Sequence, residues 1–265
     1  MCHRRNETVS LKMSVPTTVV TGGTRGIGLA ACRVLLRQLG ASSSARNLVV
    51  VGRDEAAGME AMKALKNEKG GSFENVAISF EPCDVAEADE LEGALSPYHI
   101  DCLVNCAGIA QDSLLLRAKD AHVQSMIQTN LVGTIQASRI AVKSMVKNRV
   151  THGSIVNVGS IIGSQGNVGQ SVYSASKSGL LGFTRSLAKE VGPRSIRVNM
   201  IEPGYIHTEM TAGMDVDGII GSKRIPLNRF GEAEDVANLV GFLCNSSLSS
   251  YITGQVIGID GGMTV

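Results

Sequence analysis

Net charge is nearly absent from this chain: 25 Lys and Arg against 24 Asp and Glu leave a formal +1, and no basic tract gathers the cations. So balanced a chain has no electrostatic case for binding nucleic acid. Long hydrophobic runs are missing too. The apolar stretches are short and strand-like, so none reads as a membrane-spanning helix. The six cysteines (Cys2, Cys32, Cys83, Cys102, Cys106, Cys244) include no Cys-x-x-Cys pair and are too sparse over 265 residues for a disulfide framework. They read as ordinary thiols of a reducing compartment. The five histidines are scattered with no partner at zinc-ligand spacing, so no metal site is expected. No repeat, linker or low-complexity block divides the chain.

Residues 1–15 form a polar lead-in, expected as a tail ahead of a single domain over 16–265. Arg4, Arg5 and Lys12 outweigh Glu7 there, without the apolar core of a secretory signal. A plain tail and a short organelle-targeting segment both stay open, and Met13 is an alternative start. The expected setting is a soluble protein inside the cell, in the cytoplasm or the mitochondrial matrix.

What the chain does have is 43% hydrophobic residues, 30 glycines and a regular alternation of strand-like and helix-like stretches. Strands are expected at 17–21, 48–51, 76–81, 101–105, 154–158, 196–201 and 255–259. Helices are expected at 27–39, 55–69, 87–95, 119–148, 173–191 and 232–244. Continuous apolar strands alternating with helices predict an α/β fold: one doubly wound, Rossmann-type sheet of seven parallel strands with helices on both faces. Two loops break the spacing. Residues 40–47 read as a surface insertion. The stretch 207–229, with Gly213, Gly218, Gly221 and Pro226, falls beyond the carboxyl end of the sixth strand, where ligands bind in such sheets, and is a candidate substrate lid.

After the first strand comes Thr21-Gly22-Gly23-Thr24-Arg25-Gly26-Ile27-Gly28. A strand that turns sharply into a helix beside a pyrophosphate needs positions without side chains, and the helix N-terminus adds amide donors. No Lys-Ser or Lys-Thr follows the last glycine, so this is not a nucleoside-triphosphate loop. A dinucleotide is expected. The second strand ends Val51-Gly52-Arg53, where an enzyme for the unphosphorylated cofactor usually carries an acid. Arg25 and Arg53 suit a 2′-phosphate, hence NADP or NADPH. Asp54, directly after Arg53, could point inward and reverse that preference. Asp84 and Val85 follow the third strand; Asp84 is placed to accept from the adenine amine or to cap a helix. Asn105, Ala107 and Gly108 end the fourth strand with small residues that permit close approach, and Cys106 among them reads as packing.

Further on, Tyr173 and Lys177 share one helix face at i and i+4, thirteen residues after Ser160. A carbonyl that receives hydride becomes an alkoxide and needs a proton and a donor. A phenol is a poor acid at neutral pH, and the Lys177 ammonium is expected to lower its pKa by about three units, about 4 kcal/mol. Ser160 can hydrogen-bond the substrate oxygen.

With these residues in hand, the chain from about residue 16 onward resembles the short-chain dehydrogenases/reductases. The shared motifs are Thr21-Gly22-x-x-x-Gly26-Ile27-Gly28, Asn105-x-Ala107-Gly108, Asn130 in Thr-Asn-Leu, Ser160, Tyr173-x-x-x-Lys177, and Pro203-Gly204 with Thr208. Cys106 departs from the family's usual Asn-Asn-Ala-Gly. The resemblance implies that Tyr173 is the acid, that Lys177 also binds the nicotinamide ribose, and that Ser160 orients the substrate. It implies that Asn130 holds a water linking Lys177 to solvent, and that Thr208 with the backbone near Ile206 holds the carboxamide.

Within the family the likeness is to 3-oxoacyl-[acyl-carrier-protein] reductases, through 108–115, 202–211, 225–231, 251–263 and above all Asn167-Val168-Gly169-Gln170. It implies NADPH-dependent reduction of a 3-oxoacyl thioester in fatty acid synthesis by a homotetramer, with a hetero-tetramer as the other arrangement. Arg149 and Arg194 would dock the acidic carrier protein, or serve as solvated loop residues. Two other readings remain: a broader carbonyl, quinone or hydroxysteroid oxidoreductase, and a non-catalytic dinucleotide-binding subunit.

Overall fold

The computed structural model describes residues 15–68, 73–221 and 225–265. The tail up to residue 14 with Met13, Lys69 at the end of the expected second helix, and positions 222–224 of the expected lid lie outside the described residues.

Runs of Val, Ile, Leu and Thr form β1 (Pro16–Thr21), β2 (Arg46–Gly52), β3 (Val76–Pro82), β4 (His99–Asn105), β5 (Gly153–Val158), β6 (Ile196–Pro203) and β9 (Val256–Ile259). They make one parallel sheet in the order β3-β2-β1-β4-β5-β6-β9, the seven strands expected. Successive side chains in the central strands serve opposite faces. Val20, Val50, Val104 and Val156 join the core under α1 (Gly26–Gly40), α2 (Glu55–Lys66) and α9 (Ala233–Cys244). Val19, Val49, Leu103 and Ile155 join the opposite core under α3 (Ala88–Leu95), α5 (Thr134–Lys147) and α7 (Ser171–Val191). Leu36 and Leu91, one in each core, are fully buried, worth about 2 kcal/mol each.

The expected single helix over 119–148 is instead α4 (Asp120–Ile127), a π-helical turn (Gln128–Gly133) and then α5. Close packing goes with the wider turn, since a Cβ on Gly133 would lie 2.7 Å from the Val85 carbonyl oxygen. Such turns concentrate at functional sites, and Asn130 sits inside this one. A short α6 (Ile161–Gln165), not anticipated from periodicity, follows β5, capped by the Ser160 hydroxyl, which accepts from Ile162 N–H at 3.2 Å.

In the expected lid, β7 (Ile206–His207) pairs with β8 (Gly231–Glu232), and the Phe230 ring stacks on Tyr205 at 5.2 Å. The excursion between them carries α8 (Val216–Gly221) and is closed at its base.

From β1 the sheet grows one way through β2 and β3 and the other way from β4, which opens a crevice at the carboxyl ends of β1 and β4. Across it a Cβ on Gly22 would lie 2.7 Å from the Ala107 backbone, and a Cβ on Gly28 would lie 2.1 Å from the Gly22 carbonyl oxygen. Gly28→Ala is therefore expected to cost about 2 kcal/mol or more and to weaken dinucleotide binding, as read by urea unfolding and titration. A variant as stable and as tightly binding as the parent would refute this turn geometry.

Candidate active site

A cavity of about 490 Å³ occupies the crevice. Its wall includes Gly22, Thr24, Arg25, Gly26, Ile27 and Gly28 from the glycine turn, Arg53 after β2, Asp84 and Val85 after β3, Ala107 and Gly108 after β4, and Thr208. The sequence had pointed to every one of these. Arg25 occupies the N-cap position of α1 without a side-chain cap, so the first-turn amides are open to an anion. Gly22 has φ +65, a left-handed geometry that favours glycine, and any side chain there would enter the Cys106–Ala107 backbone. The cradle fits a dinucleotide pyrophosphate.

Five other expected contacts stand behind that wall instead of lining it. Thr21 is buried and its Oγ1 accepts from Ala107 N–H at 3.4 Å. Asn105 donates to Ser138 Oγ at 3.1 Å and Asn157 Oδ1 at 2.9 Å, locking β4 to β5. Gly204 N–H bonds the Ile259 carbonyl at 3.0 Å, Pro203 ends β6, and Ile206 is packed in the core. Their part is to hold the crevice in shape.

Gly52, Asp54, Cys83, Cys106, Ile109, Ala110, Thr129, Glu209 and Met210 also line the cavity without having been singled out as cofactor contacts. Gly52 was findable: a Cβ there would lie 2.7 Å from Thr24 Cγ2, because β2 runs beside β1. Glu209 and Met210 come from the lid, which carries no periodicity to place them.

Both arginines are exposed and paired. Arg25 bonds Asp54 Oδ2 at 3.2 Å and Glu209 Oε2 at 3.0 Å, and Arg53 lies 3.6 Å from Asp84 Oδ2. Asp54, which lines the cavity, is also tied back: its Oδ1 caps α2 by accepting from Ala57 N–H at 3.1 Å. That bond, with Arg25 beside it, holds its carboxyl below the usual range. Asp84 Oδ1 accepts from Ala86 N–H at 3.0 Å, in a local turn ahead of α3 and not at its N-cap, which is Glu87.

At the inner end of the crevice, Lys177 is buried and donates from Nζ to the Val158 carbonyl at 2.9 Å, 5.9 Å from the centre of the Tyr173 ring. A Cβ on Gly108 would be 3.3 Å from Lys177 Nζ and 3.4 Å from Asn130 Oδ1, so only glycine leaves this corner open. Asn130 is fully buried. Its Oδ1 accepts from Ile109 N–H at 2.8 Å, and its Nδ2 donates to the Ile109 carbonyl at 2.9 Å and to Ser176 Oγ at 3.0 Å. The side-chain amide is thus committed to the loop after β4 and to Ser176, while the main-chain carbonyl accepts from Thr134 Oγ1 at 3.0 Å.

Burial pushes the Tyr173 phenol above its ordinary pKa and Asp112 adds to that, against an opposing pull from the nearby Ser160 hydroxyl. The expected lowering by Lys177 is not among the influences on the phenol in this arrangement, where Nζ is turned to the Val158 carbonyl. Tyr173 is consequently protonated at neutral pH, which is the state a proton donor needs. Burial depresses Lys177 from 10.5 to about 8. Burial pushes the Cys106 thiol up to about 12, in keeping with a packing role.

A parallel sheet with a glycine cradle at its switch point, and with Lys177 and Asn130 behind the Gly108 wall of the cavity and Ser160 and Tyr173 outside its lining, fits an oxidoreductase that uses a nicotinamide dinucleotide. The comparisons agree. Residues 22–264 match the family model described as "Enoyl-(Acyl carrier protein) reductase", and the chain belongs to the short-chain dehydrogenase/reductase family. It is 43% identical over 249 residues to "Carbonyl reductase family member 4" of Xenopus tropicalis, covering 92% of this chain and 96% of that one. It is 42% identical over 249 residues to the "3-oxoacyl-[acyl-carrier-protein] reductase" of Homo sapiens, with coverage of 92% and 96%. To "3-oxoacyl-[acyl-carrier-protein] reductase FabG" of Aquifex aeolicus it is 38% identical over 263 residues, with coverage of 96% and 100%.

Because the folded lysine releases its proton near pH 8 and the unfolded one near 10.5, the unfolded chain binds more protons between those values and native stability rises there with pH. Lys177→Met removes this dependence. The native chain should gain on the order of 3 kcal/mol on the variant between about pH 7 and pH 10.5, read from denaturant midpoints. A gap that stays constant with pH would sink the reading of Lys177 as a desolvated ammonium.

Proposed function

We propose that the protein reduces a 3-oxoacyl thioester carried on an acyl carrier protein to the 3-hydroxyacyl thioester, with NADPH as the reductant. The observation that carries this reading is the buried Lys177, whose Nζ lies against the Gly108 side of the cavity and 5.9 Å from the centre of the Tyr173 ring.

Gly22, Gly26, Gly28 and the first amides of α1 would hold the pyrophosphate, Asp84 the adenine side, Thr208 the nicotinamide side, and Lys177 the nicotinamide ribose. Bound there, the reduced nicotinamide supplies hydride to the carbonyl carbon. Ser160 and Tyr173 would offer two hydroxyl donors to one oxygen, which a 3-oxo group fills as it becomes an alkoxide. Tyr173 then gives its proton to that oxygen. Lys177 stabilises the resulting phenolate, and the Asn130 carbonyl offers a station for the water that restores the proton. The excursion over 207–229 acts as the lid, and the whole of 16–265 as one catalytic domain.

The preference for the phosphorylated cofactor rests on Arg25 and Arg53. Both flank the cavity, and a 2′-phosphate would take over the guanidinium contacts now made by Asp54, Glu209 and Asp84. Carrier docking is assigned to Arg149 and Arg194. Both are exposed, and they precede β5 and β6 at the amino-terminal end of the sheet, opposite the crevice. Docking there serves the chemistry if the chain assembles, as a homotetramer or hetero-tetramer, with one copy's amino-terminal end beside another's cavity.

Steady-state reduction of acetoacetyl thioester with NADPH and with NADH tests the assignment, with crotonyl thioester, a quinone and a hydroxysteroid as alternatives. Turnover of the 3-oxo thioester with NADPH is expected. Turnover confined to crotonyl thioester, or to steroids with NAD, would overturn it. Tyr173→Phe should lower kcat by about 10³-fold; a variant that binds dinucleotide and retains full turnover would remove Tyr173 from the mechanism. Arg53→Ala should raise the KM for NADPH by about ten-fold and leave that for NADH nearly unchanged.

A further inference from the structure

Two of the segments that carry the likeness to acyl reductases, 108–115 and 166–170, lie far apart in sequence and meet in space. Gln170, buried at the start of α7, donates from Nε2 to Asp112 Oδ1 at 2.9 Å and accepts at Oε1 from Asn167 Nδ2 at 2.9 Å. The Ser113 N–H bonds the Gly169 carbonyl at 2.8 Å along the same seam. Positions 166 and 169 have φ of +74 and +79 with open space where a Cβ would stand, Val168 is exposed, and Gly166 N–H bonds back to the Ile162 carbonyl at 2.9 Å. The Gln170 carbonyl also accepts from Ser174 N–H at 2.7 Å. One residue is therefore both tied to the loop after β4 and part of the helical turn that carries Tyr173.

We propose that the Gln170–Asp112 tie is a positioning device for Tyr173, joining the segment after β4 and the segment before α7 into one wall that holds the phenol toward Ser160. This inference rests on the reading of Tyr173 as the proton donor. Asn130 fastens the other end of the same segment through Ile109, so 109–113 is pinned at both ends, once by a buried amide on each side. The groups that face the phenol are Ser160 ahead of α6, Lys177 on its own helix and Asp112 across the seam. The Asp112 carboxylate works in the same direction as burial, keeping the proton on Tyr173 until an alkoxide forms to take it.

Substitution at Asp112 separates charge from geometry, and its exposure means that truncation leaves no cavity. Asp112→Asn keeps an oxygen for Gln170 and removes the charge; Asp112→Ala and Gln170→Ala break the tie. With four tyrosines in the chain, ¹³Cζ-tyrosine labelling identifies Tyr173 by its disappearance in Tyr173→Phe. In the full-length protein, Tyr173 in Asp112→Asn should titrate about half a pH unit or more below native. Asp112→Ala and Gln170→Ala should lower kcat by about ten-fold or more, with the NADPH Kd within about two-fold of native and Asp112→Asn recovering much of the loss. Kinetics are run on acetoacetyl thioester and on a quinone, so a native chain that reduces only the quinone fails the substrate assignment and still scores the tie. An unchanged Tyr173 titration in Asp112→Asn, together with native kcat in both tie-breaking variants, would overturn the proposal. So would a loss of NADPH binding in Asp112→Ala as large as the loss of kcat, which would mark the tie as general scaffolding.

Discussion

Everything in this molecule is arranged around a contact between two stretches of bare backbone. The turn after β1 and the end of β4 approach so closely at Gly22 and Ala107 that a single methyl group would part them. Only where the sheet reverses its order can two such ends lie side by side with an open crevice above. The small residues after β4, the uncapped start of α1 and the glycine at 108 all serve that approach. The groups proposed to react lie beyond it: Lys177 and Asn130 under Gly108, with Tyr173 on the same helix as Lys177. Close backbone contact sets where a dinucleotide can lie, and thereby where a proton must be delivered.

The reactive end runs against the preferences of a stable fold. An ammonium is held inside the protein with a strand carbonyl as its hydrogen-bond partner, a phenol is kept neutral by burial, and a π-helical turn interrupts what would otherwise be a continuous helix. Each of these departs from local rules, and departures gather where chemistry is done. The cores on the two faces of the sheet supply the surplus stability that tolerates them.

Strand positions were legible because β-branched runs buried on both faces leave little choice of structure, as Val49–Val51 and Leu103–Val104 illustrate. The glycine turn was legible because its spacing has one main use. Geometry that depends on tertiary contact was not. The pause at 128–133 looks like ordinary helix in sequence, since Val85, which crowds Gly133, lies far away along the chain. Lys177 was expected to act on Tyr173 through charge, yet the direction of its Nζ is decided by a carbonyl of β5. Asp54 lines the cofactor crevice, but its cap on α2, which ties one carboxylate oxygen, was not foreseen. Glu209 sits in a lid without periodicity, so no pattern pointed to its meeting with Arg25.

The pairing of β7 with β8, sealed by the Phe230 and Tyr205 rings, has an evolutionary consequence. It brings the two ends of the 207–229 excursion together independently of what lies between them. The entropy of closing such a loop grows only with the logarithm of its length, about 0.6 kcal/mol for each doubling. Insertions, deletions and wholesale exchange of the intervening residues can therefore accumulate without disturbing the sheet. Descendants of one scaffold can acquire differently shaped covers over the same hydride-transfer chemistry, each fitted to another carbonyl.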